Sequence, residues 1–585
     1  MVYKVDTDRF QVNNSMLLEK ADRCAVRRTM FLHIDGIALV PTVSALIERC
    51  IIETLQVEKS ITLNSCSEKF QCNKAYLNVA LRLLACQGWL AYEQKETDVL
   101  YKLTTKGERA FEITSIYQEV AEFIPTLATM ENFLFGCSTL RSSDHWDRFT
   151  NKSHTFPTFE IDLLQDIQDQ QFQQLVQKSQ QRWNLPNPQD LEHEELLEQL
   201  RLHLDGCLIG PILIALTMQE VWQEFDRAKD GLELDSLAAH SNRLMLACDV
   251  LSAQGWLAKQ GQRVYLTPVG KFAASKAFAY GVTVSYLPTF QKLRELLWGN
   301  PTAIWQRMPD GRETHVDRTV NVWASGCAHQ AYFNKASQII LDLFNRPIDQ
   351  QPLGIADMGC GDGSFLKILY FFIKEQTERG KVLDDHPLVL IGADYNQEAR
   401  EVAQKNLAES NIPHYHLVFG DINDPDSFSE TLWQDYEIRT QDLLHVRSFL
   451  DHNRPYKSPA TLAKSNINRS RGAFAHRGRW ISSAEIQQNL LEHFQRWVPY
   501  VTSFGILLLD LHTLPPDVVA ENLGKCLTTA YDATHGYSDQ FPIELPLFLD
   551  AAQKAGLVAD PKYKVNIPST DLAVVSINLL RPMSD

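Results

Sequence analysis

The sequence predicts an α/β protein in two parts. A mainly helical front half, reading as a lid, carries two winged-helix-like repeats. The back half is built on a Rossmann-like, doubly wound parallel sheet. Three observations predict this. A string of short motifs between residues 33 and 136 recurs in the same order between residues 203 and 299. From Gln351 onward, strand-like apolar runs alternate with helical ones. The first of those strands runs into a turn with glycine at alternate positions, Gly359, Gly361 and Gly363.

The bulk properties bound the class. The chain has 585 residues, 44% of them apolar, 22% charged and 10% aromatic, which is globular composition and enough for several cores. Its formal net charge of -16 argues against general nucleic-acid binding, which depends on Lys and Arg neutralising phosphates. The 11 cysteines include no C-x-x-C pair, and their tightest spacing is Cys66 to Cys72. That excludes a disulfide framework or zinc ribbon and suits a reducing, cytoplasmic setting. Residues 1–14 are polar, without the apolar core of a signal peptide, and no apolar run approaches the ~20 residues of a membrane span.

The repeat comes first along the chain. His33-Ile34-Asp35-Gly36 returns as His203-Leu204-Asp205-Gly206, and Pro41 as Pro211. Gln87-Gly88-Trp89-Leu90-Ala91 returns as Gln254-Gly255-Trp256-Leu257-Ala258, and Ile124-Pro125-Thr126 as Leu287-Pro288-Thr289. The offset falls only from 170 to 163 residues, the mark of a duplicated unit of about 120 residues. Each copy reads as helices ending at Gly-Trp-Leu, then a two-strand hairpin, then a further helix. In the second copy Gln260-Gly261 makes the hairpin turn. Helices followed by such a wing make a winged helix. Its wings, residues 93–98 and 259–263, are not strongly basic, so a substrate-shaping lid suits them better than DNA recognition. Residues 161–181 are Gln-rich and helical in pattern, and residues 184–190 carry two prolines as a linker does. The divisions expected are 1–160 for the first repeat, 161–200 for a helical linker, 201–320 for the second repeat, and 321–585 for the sheet domain.

In the back half the expected strands are residues 353–358, 388–393, 416–419, 442–446 and 504–509, with helices at 364–375, 397–410 and 482–497. Two final strands, 563–567 and 573–580, joined at Pro568-Ser569-Thr570, predict an added antiparallel edge. The chain stops soon after, as it would at a domain boundary or at the end of a free-standing enzyme.

The first strand and turn read Asp357-Met358-Gly359-Cys360-Gly361-Asp362-Gly363, opening a helix. Glycines there let a ligand approach the backbone near a helix N-terminus. The second strand ends at Asp394-Tyr395, where an acid can accept ribose hydroxyls, and the third at Gly420-Asp421-Ile422. The spacing is G-x-G-x-G rather than the G-x-G-x-x-G of dinucleotide-binding domains. This constellation resembles the class I methyltransferases that use S-adenosylmethionine (SAM). The resemblance implies that Gly359, Gly361 and Gly363 approach the cofactor's amino-acid part, Asp394 its ribose, and Asp421 with Ile422 its adenine. Asp357, Tyr395 and His445 complete the expected cofactor set.

Three polar loops follow the later strands. They carry Arg447, Asp451, His452 and Tyr456; then His512; then His535 and Gln540. Histidines, carboxylates and Gln suit an octahedral N/O site for iron or manganese, and one His alone suits a general base. From His452 to Ala484 there is no acid, yet Arg454, Lys457, Lys464, Arg469, Arg471, Arg477 and Arg479 are present, which predicts a local positive surface. With the duplicated front half and the stretch from Thr319 to Gly326, these loops resemble the metal-dependent C-methyltransferases of apratoxin-type polyketide synthase loading modules. That resemblance implies methylation of the α-carbon of a malonyl or methylmalonyl group on an acyl carrier protein, beside neighbouring synthase domains, in making a polyketide starter unit, with bound Fe or Mn. It implies His452, His535 and Gln540 as metal ligands, and Asp451, His452, His512, Arg447 and Tyr456 as the catalytic candidates. No membrane or nucleic-acid partner is expected. Two other readings stay open: a metal-independent O-methyltransferase of a small hydroxylated metabolite, and a non-catalytic SAM- or DNA-binding winged-helix protein.

Overall fold

The computed structural model describes residues 18–95, 98–136, 158–228, 231–234, 241–261, 263–309, 311–462 and 469–583. The polar amino terminus, wing residues Glu96, Thr97 and Gln262, Lys464 of the basic stretch and the last two residues lie outside them.

The front half is organised by helices α1 (Lys20–Glu48), α2 (Lys74–Cys86), α3 (Thr158–Gln180), α4 (Leu191–Met218) and α5 (Ser241–Ala253). Helices α1 and α4, one from each repeat, cross where Gly36 meets the His203 carbonyl and Gly206 meets the His33 carbonyl. A Cβ on either glycine would lie 2.2 or 2.1 Å from that oxygen, so the crossing demands the absence of a side chain. The contacts around it are reciprocal. His33 Nδ1 hydrogen-bonds the Tyr280 hydroxyl (2.9 Å), and His203 Nδ1 the Tyr117 hydroxyl (2.8 Å). Burial drives both imidazoles down to about 3, so both are neutral. The duplication thus closes on itself as a pseudo-twofold pair.

Each repeat carries a three-stranded antiparallel sheet. Strands β1 (Ser60–Thr62), β2 (Leu90–Gln94) and β3 (Val99–Leu103) run in the order β1-β3-β2. Strands β4 (Leu232–Glu233), β5 (Leu257–Gln260) and β6 (Arg263–Leu266) repeat that order as β4-β6-β5. The hairpins are the expected wings. Strands β1 and β4 were not expected, because two or three residues are too short to show alternation. The repeats differ in what covers them: α2 packs against back-half helices, whereas α5 packs against α3. Helices α1 and α4 are also long and apolar enough to cross a membrane, contrary to expectation, but 89% of each apolar window is buried inside the protein.

Helix α6 (Arg318–Phe344) leads into the sheet domain, whose strands are β7 (Gly354–Met358), β8 (Val389–Asp394), β9 (Tyr415–Phe419), β10 (Leu443–Ser448), β13 (Ile506–Leu511), β14 (Leu557–Ala559), β15 (Val565–Ile567) and β16 (Val575–Pro582). A separate hairpin, β11 (Phe474–His476) and β12 (Arg479–Ile481), lies in the basic stretch. The sheet order is β14-β16-β13-β10-β7-β8-β9, with β15 also on β16. Strands β7 to β10 and β13 are parallel, and β16 is antiparallel to β13. The final strands thus add the expected antiparallel edge beyond β13, with β16 carrying β15 and also β14, which was not expected. Strands β7 and β13 are buried throughout, the pattern of parallel strands covered on both faces. Helices α6 and α7 (Ser364–Gln376) belong to the apolar core on one face, and α9 (Ser483–Trp497) and α11 (Leu545–Ala555) to that on the other. Between them in sequence stand α8 (Gln397–Glu409), after β8, and α10 (Thr528–Tyr537), after β13.

Candidate active site

At the carboxyl end of β7, Gly359, Gly361 and Gly363 all take positive φ (78°, 53° and 75°), which glycine adopts without strain. A Cβ at Gly361 would meet nothing within 4 Å, so the turn leaves an open cradle over the start of α7. Gly361 N–H donates to Asp394 Oδ2 (3.1 Å) and Asn396 N–H to Oδ1 (2.9 Å), which fixes the Asp394 carboxylate beside that cradle. At the end of β9, Asp421 Oδ1 accepts Asn423 N–H (2.8 Å), and Ile422 is buried, its carbonyl accepting Trp497 Nε1–H (2.7 Å). Tyr395 stands 70% exposed next to Asp394, leaving a ring face for a ligand. Asp357 is buried with Oδ1 lacking a hydrogen-bond partner, and burial, then the charges of Asp394 and Asp362, hold its carboxyl well above the ordinary value. A dense group of acids around a glycine cradle suits a cation carrying a ribose, which is what SAM is. His445 stands apart from this group. It sits in mid-strand, in register with Ala356, with Nε2 on the Thr440 carbonyl (2.9 Å) and its ring against Trp497.

The acceptor end is built by the loop after β10, the end of β13 and helix α10. Phe449 begins the loop in the left-handed region (φ 56°), a strained backbone of the kind found at functional sites. His452 follows, buried, with Nδ1–H donating to Asp510 Oδ1 (2.5 Å) at the end of β13. His535 lies on α10, not in the loop expected for it, because the whole helix is packed and its Gly and Thr positions are buried. Its Nδ1–H donates to the Tyr531 carbonyl (2.7 Å), and burial lowers its pKa to about 3. The two rings stand 5.1 Å apart, and Phe541 N–H donates to the His452 carbonyl (2.7 Å), tying the Gln540 segment to the same place. Gln540 Nε2 donates to the Tyr286 hydroxyl (3.0 Å) and to Ser538 Oγ (2.9 Å).

Three donor atoms thus remain without a partner among the described residues: Nε2 of His452, Nε2 of His535 and Oε1 of Gln540. Both histidines have the other nitrogen fixed by an acceptor, the arrangement that orients metal-ligating imidazoles. The donors present fit a hard-to-borderline metal ion. No cluster of three His, Cys, Asp or Glu side chains occurs among the described residues, so any such site depends on the Gln.

The remaining candidates are placed differently. Asp451 is buried and accepts from Arg447 Nη1 (2.7 Å) and His493 Nε2 (2.9 Å). Burial alone would raise its pKa, but Arg447 and His493 hold it below the ordinary value. Arg447 lies over the Trp497 ring at 4.0 Å. Tyr456 packs on Phe541 (5.9 Å between rings) and donates its hydroxyl to Glu485. His512 has both nitrogens engaged, Nδ1 with the Ile543 carbonyl (3.2 Å) and Nε2 with Ser576 Oγ (2.7 Å), so it reaches the site only as packing. Sequence reasoning assigned no role to Asp510 or His493. Asp510 had a signal: it is an acid inside an otherwise Ile/Leu strand. His493, on a helix 42 residues beyond Asp451, had none.

The positive surface expected after Asp451 keeps Lys457, Arg477 and Arg479 exposed, although several of its residues are paired. Arg454 is buried on Asn489 (2.8 Å), Arg471 pairs with Asp517 (2.6 Å), Arg479 pairs with Glu485 (2.8 Å), and Arg477 covers Trp305 at 4.0 Å. The β11–β12 hairpin docks on the front half, with Asn73 Nδ2 donating to the Gly478 carbonyl (2.8 Å) and Lys74 over Trp480 at 3.7 Å.

Comparison with known proteins identifies the family. A family model described as the AprA MT2-like domain matches residues 313–578, one for the AprA N-terminal domain matches 26–92, and one for the AprA winged helix domain matches 205–300. Among solved structures, an O-methyltransferase family protein from Burkholderia thailandensis is 14% identical, covering 64% of this chain and 95% of its own, with a TM-score of 0.36. Human N-acetylserotonin methyltransferase in complex with SAM is 13% identical over 68% of this chain and 100% of its own, with a TM-score of 0.37. The citrinin polyketide synthase CMeT domain is 11% identical over 74% and 100%, with a TM-score of 0.34. No curated protein matches the chain. The sheet order, the glycine cradle and the matched domain define a class I SAM-dependent methyltransferase. Within that class, the three matched domains place the chain in the AprA type.

Proposed function

We propose that this enzyme transfers a methyl group from SAM to the α-carbon of a malonyl or methylmalonyl thioester held on an acyl carrier protein, in the cytoplasm, as a step in building a polyketide starter. The observation that supports it best is the set of three oriented donor atoms on His452, His535 and Gln540. A bound Fe or Mn ion would supply Lewis acidity at the acceptor's carbonyl oxygens, which lowers the cost of forming an enolate. The chain's own residues position the two reactants. The Gly359–Gly363 turn and Asp394 hold SAM beyond β7 and β8. Asp510 keeps the His452 Nδ1 proton in place, so Nε2 faces the acceptor with a lone pair. Tyr456, Phe541 and the loop after Phe449 wall the acceptor end from water.

The same His452–Asp510 pair also favours a second reading, in which His452 Nε2 takes a proton from a hydroxyl and the product is a methyl ether. Intact-protein mass spectrometry separates them. Malonyl-loaded carrier protein, enzyme and SAM are incubated with Fe(II) or Mn(II), or with chelator. The expected result is a gain of ~14 or ~28 Da that requires the metal. No gain under any condition, with SAM binding intact, removes the carrier-bound acceptor, and undiminished small-molecule methylation in chelator favours the hydroxyl reading.

A further inference from the structure

We infer that the front half aims Gln540: its tyrosines Tyr286 and Tyr76 are positioning residues for that carboxamide, and the acceptor end is a composite of both halves. The inference rests on the reading of Gln540 Oε1 as a metal donor.

The orientation of the Gln540 amide follows from its neighbours. Ser538 donates its own hydroxyl proton to the Thr534 carbonyl (2.6 Å), so toward Gln540 it can only accept. The group 2.9 Å from Ser538 Oγ must therefore be the NH2, and Oε1 points the other way. The second amide proton goes to Tyr286, a buried residue of the second repeat (3.0 Å). Without that hydroxyl the carboxamide keeps one tether and gains freedom to turn about it.

The backbone before Gln540 is held from the first repeat. Asp539 sits in the left-handed region at φ 58°, which Asp tolerates better than most residues, and its side chain is held on two sides. Its Oδ1 accepts the hydroxyl of Tyr76, a fully buried residue of α2 (2.8 Å), and its Oδ2 accepts Arg477 N–H from the β11–β12 turn (2.6 Å). Helix α10 itself is fastened to the same repeat. Ala530 N–H donates to Asp35 (3.3 Å), Thr42 meets the Tyr537 hydroxyl (3.3 Å), and Arg82 pairs with Asp532 in the interior. One tyrosine from each repeat therefore closes on two consecutive residues, each through a side-chain hydrogen bond.

The test uses the full chain as wild type, Tyr286→Phe, Tyr76→Phe and Gln540→Ala. Three quantities are read: Mn(II) affinity by electron paramagnetic resonance, SAM affinity by calorimetry, and amide hydrogen exchange across residues 531–541. Expected for both Phe variants is a roughly 10–100-fold loss of Mn(II) affinity, the scale of removing a ligand's supporting contact. SAM affinity should hold and exchange in that segment should quicken. Wild-type Mn(II) affinity in both Phe variants, while Gln540→Ala loses the ion, overturns the clamp and leaves the metal reading standing. If wild type and Gln540→Ala bind Mn(II) alike, the metal reading fails and exchange alone decides the clamp. Unchanged exchange then overturns it. Should Tyr76→Phe fail to fold, Tyr286→Phe carries the test.

Discussion

Asp451 illustrates what single buried charges do here. Its neighbours Arg447, Arg454 and His493, together with Asp510, keep several polar atoms without hydrogen-bond partners: Arg447 Nε and Nη2, Asp451 Oδ2, Arg454 Nη2, His493 Nδ1 and Asp510 Oδ2. Such a group tolerates little change, because each remaining contact compensates a charge that water does not reach. Asp451→Asn should therefore leave Arg447 uncompensated and lower stability by about 3 kcal/mol, read as a shift in the urea midpoint. A loss under ~1 kcal/mol would mean that the Arg447–Asp451 pair holds nothing the fold needs. Arg447 and Asp451 are buried and engaged with each other and with His493. Asp510, to which the sequence reading gave no role, lies hydrogen-bonded to His452.

At the scale of elements, the sharpest demands fall on glycines. Gly206→Ala would drive a Cβ against the His33 carbonyl and should cost about 2 kcal/mol or more, as overpacking does. Gly326→Ala is the control. It lies in helix α6 with open space around its Cβ, so alanine there should be neutral or stabilise by up to ~1 kcal/mol. Paired thermal melts decide the matter, and equal melting temperatures would remove the steric account of the crossing. These elements also divide what the sequence made legible from what it hid. The strands and helices expected in the sheet domain lie within about two residues of those observed, because buried parallel strands are continuous apolar runs, but helix α11 and the β11–β12 hairpin were not expected. The duplication was readable from motif order. Strands β1, β4 and β14 were not, being too short to show a period. Helix α10 looked like a loop because it carries three Thr, a His-Gly pair and few strong helix formers, and its burial against α1 and α2 makes it helical. The basic stretch was legible as charge, but composition does not record that Arg454 is buried or that Asp517 and Glu485 pair with Arg471 and Arg479.

At the scale of the molecule, the two halves meet through Asp35, Arg82 and Asp532. Burial pushes the Asp35 carboxyl up to about 8, with the Asp532 charge adding to the effect and the Ala530, Gln87 and Thr529 contacts opposing it. The folded protein therefore keeps a proton that the unfolded chain has already released above about pH 4. Stability should be highest near or below the unfolded value, fall as pH rises toward 8, and then level off. Wild type should melt at a lower temperature at pH 8 than at pH 6, and Asp35→Asn should flatten that difference. An equal pH dependence in the variant would assign the slope to other groups.

The reciprocal crossing of α1 and α4 carries a consequence for how the chain is made. His33 emerges 170 residues before His203, yet each needs the other's repeat to bury it. A ribosome adding ~5–20 residues per second leaves the first helix waiting roughly 10–30 s for its partner. Throughout that interval a 29-residue, largely apolar helix lacks the partner it packs against most and is covered only by the short helices of its own repeat, which makes the nascent first repeat a client for chaperones and a site of premature aggregation.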